Sequence, residues 1–86
     1  MQLNTKEQLI RHKRKALADL INMVGGPVHL SAMLDLSPST VASWVERGQI
    51  SKNGARIVGR HPTLGFKFTA ESLRPDMYYR INGDNE

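Results

Sequence analysis

The segment from Gly25 to Gly48 constrains this chain more than any other, because helix stop and start signals crowd into it: "GGP" at 25–27, "DLSP" at 35–38, and a glycine at 48. Paired glycines end a helix, and a proline suits the first turn of the next, where its missing N–H would have no partner anyway. Pro27 therefore opens a short helix that ends at Asp35. Pro38 opens another that runs to about Arg47, with Ser37 placed to cap its free N–H groups. About three residues lie between them, a gap that lets two helices cross steeply if their inner positions follow a narrow pattern. Leu30 and Leu34 supply that pattern on the first helix, Leu36 in the turn, and Val41 and Trp44 on the second, while Ser31 is small where the helices approach. The second helix is two-sided: it sets the small residues Pro38, Ser39, Thr40 and Ser43 against one apolar stripe.

The rest of the chain reads as further helices. Thr5 and Gln8 make a capping box for a first helix reaching Val24, with Leu9, Ile10, Leu17, Leu20, Ile21 and Val24 at inward spacing. Beyond Gly48, Ile50 is an anchor and Ser51 a cap for a fourth helix that ends near Arg60, ahead of Pro62. "LGFKFT" alternates apolar and polar, which predicts a short extended segment whose Phe66 and Phe68 point the same way. That pair either closes the domain's own core or is shared with a second copy. Thr69 caps a last turn, "AESL", stopped by Arg74 and Pro75. The expectation is one all-α domain of five helices over residues 1–80, with the polar stretch 81–86 as a flexible tail.

Charge is unevenly spread. Through Lys67 there are ten Lys/Arg against four Asp/Glu, and beyond it two against four. The basic part attracts a polyanion, although basic surfaces also occur as solvated faces. No apolar run approaches the ~20 residues of a membrane span, and "MQLNTKEQ" lacks the apolar core of a signal peptide. A cytoplasmic protein without membrane contact is expected. The absence of cysteine in the sequence removes thiolate metal ligands, disulfides and thiol nucleophiles. His12, His29 and His61 lack ligand spacing, and no serine is paired with a base, so neither an enzyme nor a cofactor is expected.

Pro27 to Glu46 resembles the helix-turn-helix of phage repressors and Cro proteins, with Asp35 at the turn position usually held by glycine. "WVERGQI" followed by "GFKFTAESLRPDMYY" resembles Cro-like prophage regulators of the YdaS type, over roughly Val24 to Tyr78. The resemblance implies a lambda-repressor-like fold, operator DNA as partner, and transcriptional control, most simply repression. An activator touching RNA polymerase, and a toxin–antitoxin component working through protein contacts, are the alternatives it leaves.

On that reading the second helix of the pair enters the major groove, which admits an α-helix. Pro38, Ser39, Thr40, Ser43 and Arg47 are the candidate base contacts: short hydroxyls approach base edges, methyl and methylene groups pack on thymine, and Arg47 reaches a guanine or a phosphate. Candidate phosphate contacts are Ser37, the helix start at Val28 and His29, the loop residues Lys52 and Asn53, and Arg11, Lys13, Arg14 and Lys15 of "RHKRK". Trp44 is expected in the core. One helix-turn-helix touches few base pairs, so a homodimer on paired half-sites is expected, with Phe66 and Phe68 as its candidate contact.

Overall fold

The computed structural model describes residues 5–78. Its elements are α1 (Lys6–Val24), α2 (Pro27–Leu34), α3 (Pro38–Arg47), α4 (Lys52–Arg60) and α5 (Ala70–Leu73), with 3-10 turns at Leu64–Phe66 and Pro75–Met77. There is no strand among the described residues. The tail expected at 81–86 lies outside them.

Local chemistry accounts for most boundaries. The Thr5 hydroxyl accepts from the Gln8 N–H at 3.1 Å while Gln8 reaches back to the Thr5 N–H, closing the capping box of α1. Ser51 accepts from the Gly54 N–H at 2.9 Å to start α4, and Thr69 and Ser72 form a second capping box at α5. Ser37 departs from expectation. It occupies the N-cap position of α3, yet its hydroxyl bonds the hydroxyls of Ser39 (3.1 Å) and Thr40 (2.9 Å), and the Thr40 N–H goes to the Ser37 carbonyl instead. Two hydroxyls within reach compete with the backbone for the same side chain.

The α2–α3 turn depends on Asp35, which at φ 57° is the one non-glycine with positive φ among the described residues. Its N–H bonds the Ala32 carbonyl, and the Leu36 N–H bonds Ser31 O at 2.9 Å, which closes the end of α2. Buried Ser31 satisfies its hydroxyl on Val28 O, so α3 crosses it without an orphaned polar atom. An L-residue held in the left-handed region costs ~1–2 kcal/mol, of which glycine's larger unfolded entropy takes back ~0.5–1. Asp35→Gly should therefore raise stability by about 0.5 kcal/mol. A lower urea midpoint for the variant would contradict strain at this residue.

One core joins the elements: Leu17 and Leu20 from α1, Leu30 and Leu34 from α2, Val41 and Trp44 from α3, and Ile50, Ala55, Val58, Leu64, Phe68 and Leu73 from the remainder. Three sequence expectations are corrected here. Ile10 is exposed, and its place on the inner stripe of α1 is taken by Lys13, four residues from both Leu9 and Leu17. The segment 64–68 turns rather than extends, because His61 Nδ1 accepts from the Thr63 and Leu64 N–H groups and Leu64 O accepts from Lys67 and Phe68. Local partners thus satisfy the N–H groups that a strand would have offered to a neighbour. In consequence Phe66 and Phe68 diverge: Phe68 is in the core, and Phe66 is 93% exposed.

Candidate nucleic-acid interface

The polar side of α3 is positioned from behind. Val41 and Trp44 are buried, and the Trp44 ring crosses the start of α4 so closely that a Cβ at Gly54 would lie 2.5 Å from its Cζ2. Leu30 and Leu34 fill the other side of the crossing, with Leu36 packed at the turn. The anchored face leaves the opposite face to solvent. Pro38, Ser39 and Arg47 are exposed, and Thr40 and Ser43 are half-buried.

Two residues the sequence reading passed over share that face: Ala42 and Glu46, both exposed. Ser39, Ala42, Ser43 and Glu46 follow i, i+3, i+4, i+7 spacing directly opposite Val41 and Trp44, so periodicity alone identifies them once the anchors are fixed. Thr40 and Arg47 lie on the flank of this ridge. The Ser37–Ser39–Thr40 hydroxyl cluster holds the first turn of α3, where Pro38 has no N–H and the Thr40 N–H bonds Ser37 O.

At the start of α2, Val28 and His29 are exposed. Lys52 and Asn53 are exposed as well.

Of the "RHKRK" run, Arg11, Arg14 and Lys15 share one exposed face of α1, as i, i+3 and i+4 positions do, while His12 and Lys13 turn away from it. Arg11 pairs with Glu7 at 2.8 Å and Lys15 with Asp19 at 2.9 Å, each four residues apart on the exposed side of α1. Arg14 lies over Gly48, where an added Cβ would meet its Nε at 2.8 Å. His12 Nε2 lies 2.7 Å from Ser72 O and ties α1 to α5.

Lys13 is the clear correction among the candidate phosphate contacts. Its side chain is 9% exposed, with its ammonium 3.9 Å from the Asp76 carboxylate, so it is unavailable to a phosphate. Asp76 also accepts from Arg74 at 2.8 and 3.2 Å, and Arg74 donates to Ile50 O at 3.2 Å. Burial opposes ionisation of Asp76, but the Arg74 hydrogen bonds and charge, with Lys13 behind them, outweigh it and hold the carboxyl below its ordinary pKa. This cluster clamps α1, the α3–α4 connection and the C-terminal 3-10 turn together. It is structural, and Asp76 lies too far along the chain for local patterns to show it.

No family model, no curated protein and no solved structure matches the chain. Among the described residues, no group of three or more His, Cys, Asp or Glu is arranged to hold a metal ion, and no single helix is long and apolar enough to cross a membrane.

Proposed function

We propose that the chain is a sequence-specific double-stranded DNA-binding regulator of the Cro type, inserting α3 in the major groove of operator DNA and acting most simply as a repressor. One observation supports this above others. The α2–α3 pair, closed by left-handed Asp35, buries Leu30, Leu34, Val41 and Trp44 while its second helix keeps Ser39, Ala42 and Glu46 exposed on the opposite side, with half-buried Ser43 among them. Short hydroxyls and a methyl group allow close approach to base edges, and a carboxylate accepts from the cytosine amino group. Thr40 and Arg47 flank the ridge, suited to the groove wall or a neighbouring base.

A regulator of this kind works as two copies on half-sites about one helical turn apart. Phe68 is spent on the core, so Phe66 is the contact assigned to the second copy.

The test is binding to the duplex upstream of the chain's own gene, against a scrambled duplex of equal composition at fixed salt. Ser39→Ala, Thr40→Ala and Ser43→Ala should each lower the preference for the specific duplex by a factor of ~5–10, in keeping with about 1 kcal/mol per base contact. Glu46→Ala should relax discrimination at one base pair. Phe66→Ser should bind an isolated half-site as before and lose cooperative binding to two. Equal affinity of the unaltered protein for both duplexes would reject sequence-specific recognition.

A further inference from the structure

Once α1 is folded, three of its five cations face a carboxylate, and the longest regular row of exposed cations without one lies on α4. Lys52, Arg56 and Arg60 recur every four residues along this helix, and all three are exposed. No carboxylate among the described residues forms a salt bridge with them. The neutral donor Asn53 beside Lys52 is exposed, and so is Arg47 at the end of α3. Beside Arg56 and Arg60 a shallow groove of about 270 Å³ runs between α4 and α5, and the exposed phenol of Tyr78 stands on its rim.

This arrangement works against the helix that carries it. Like charges four apart destabilise a helix by ~0.2–0.5 kcal/mol per pair, and a lysine in the first turn opposes the helix dipole. α4 also contains Gly54 and Gly59, each worth about 1 kcal/mol less than alanine in a helix interior. On α1 the chain places a carboxylate four residues from Arg11 and from Lys15. On α4 it places none, and self-repulsion of that kind is relieved when a polyanion lies along the row.

We propose that the Lys52–Arg56–Arg60 ridge of α4 is the main phosphate-contacting surface of the protein and tracks the sugar-phosphate backbone of one DNA strand beside the groove that α3 enters. The inference rests on the DNA-binding reading and deepens it. At a rise of 1.5 Å per residue the ridge is ~12 Å long, enough to face about three successive phosphates at ~3.4 Å of axis per strand. Three cations in one straight row at a regular spacing of four suit a linear polyanion better than an acidic protein patch. Guanidinium groups bind phosphate bidentately, and a tyrosine hydroxyl adds a neutral donor.

The experiment measures affinity for the upstream and the scrambled duplex between 50 and 200 mM salt. The unaltered protein is compared with the Arg56→Ala/Arg60→Ala double variant and with an Arg11→Ala/Lys15→Ala control, each verified as folded by its thermal melt. Each phosphate contact contributes about 0.9 to the slope of log affinity against log salt. The α4 variant should lose about 1.8 from that slope and weaken on both duplexes alike, by roughly tenfold per contact near 0.1 M salt. The control should keep its slope, and Arg56→Lys/Arg60→Lys should keep most of it.

An unchanged slope in the α4 variant, or an equal loss in the control, overturns the ridge while leaving sequence discrimination by α3 intact. The converse result, no discrimination between duplexes but a lost slope in the α4 variant, rejects the specific-regulator reading and supports the ridge. Binding to a polyglutamate peptide and to neither duplex overturns both.

Discussion

Asp76→Ala should lower stability by about 3 kcal/mol, which for a chain of this size is a fall in melting temperature of roughly 12–24 °C. The carboxylate and the Lys13 ammonium are each 9% exposed, and Arg74 is 11% exposed. Removing the anion leaves two cations facing each other in a poorly hydrated site. Breaking a buried pair by removing one partner costs ~3–5 kcal/mol, while replacing the pair with apolar groups is often neutral. Lys13→Met/Asp76→Leu should therefore recover part of the loss, although Arg74 still needs its bond to Ile50 O. Thermal melts of the three proteins decide the matter, and a change below 0.5 kcal/mol for Asp76→Ala would show the clamp to be unimportant.

The same carboxylate gives stability a direction with pH. Its folded pKa lies below the unfolded one, so its contribution is complete above the ordinary aspartate range and is lost as pH falls through the folded value. Stability should be flat from neutrality to about pH 5 and fall below ~4, and Asp76→Ala should flatten that fall.

Gly54→Ala should destabilise by about 1–2 kcal/mol, against the sign given by helix propensity. Alanine in a helix interior gains ~1 kcal/mol over glycine. Here the added Cβ would sit 2.5 Å from Trp44 Cζ2, 2.8 Å from Cη2 and 3.0 Å from Ile50 Cγ1. Both neighbours are themselves buried, so the indole has no room to withdraw, and overpacking of this kind costs ~1–3 kcal/mol. The anchor of α3 moves with the ring, so specific DNA affinity should fall along with stability. Urea denaturation gives the test: a variant as stable as the parent would mean that the ring yields freely and that Gly54 is not held by this contact.

The boundaries of the four longer helices were legible because each has a local cause. Pro27 and Pro38 open helices, Gly25 and Gly48 close them in the left-handed region, and Thr5, Ser51 and Thr69 cap through their hydroxyls. The anchors Leu30, Leu34, Val41 and Trp44 were legible through period and gap length. Less was legible of the surface. A run such as "RHKRK" looks like five basic neighbours in the sequence, but only Arg11, Arg14 and Lys15 share the exposed face of α1, and Glu7, Asp19 and Asp76 pair with three members of the run. The residues of the α4 ridge are four apart and never adjacent, so the sequence does not display them as a cluster.

The sequence by itself determined what depends on neighbours a few residues away: where helices start and stop, which face of α2 and of α3 is apolar, and that Asp35 must take the turn. Tertiary structure alone decided what depends on distant partners. Lys13 turns inward because Asp76 meets it, Gly54 is bare because Trp44 lies over it, and Phe68 goes to the core while Phe66 does not, because 64–68 turns on itself. The third rests on the local bonds of His61 Nδ1 and Leu64 O, which apolar alternation does not display, and the first two share one physical reason. A buried charge or a close contact is stabilised only by a partner brought near through folding, and local periodicity holds no record of that partner.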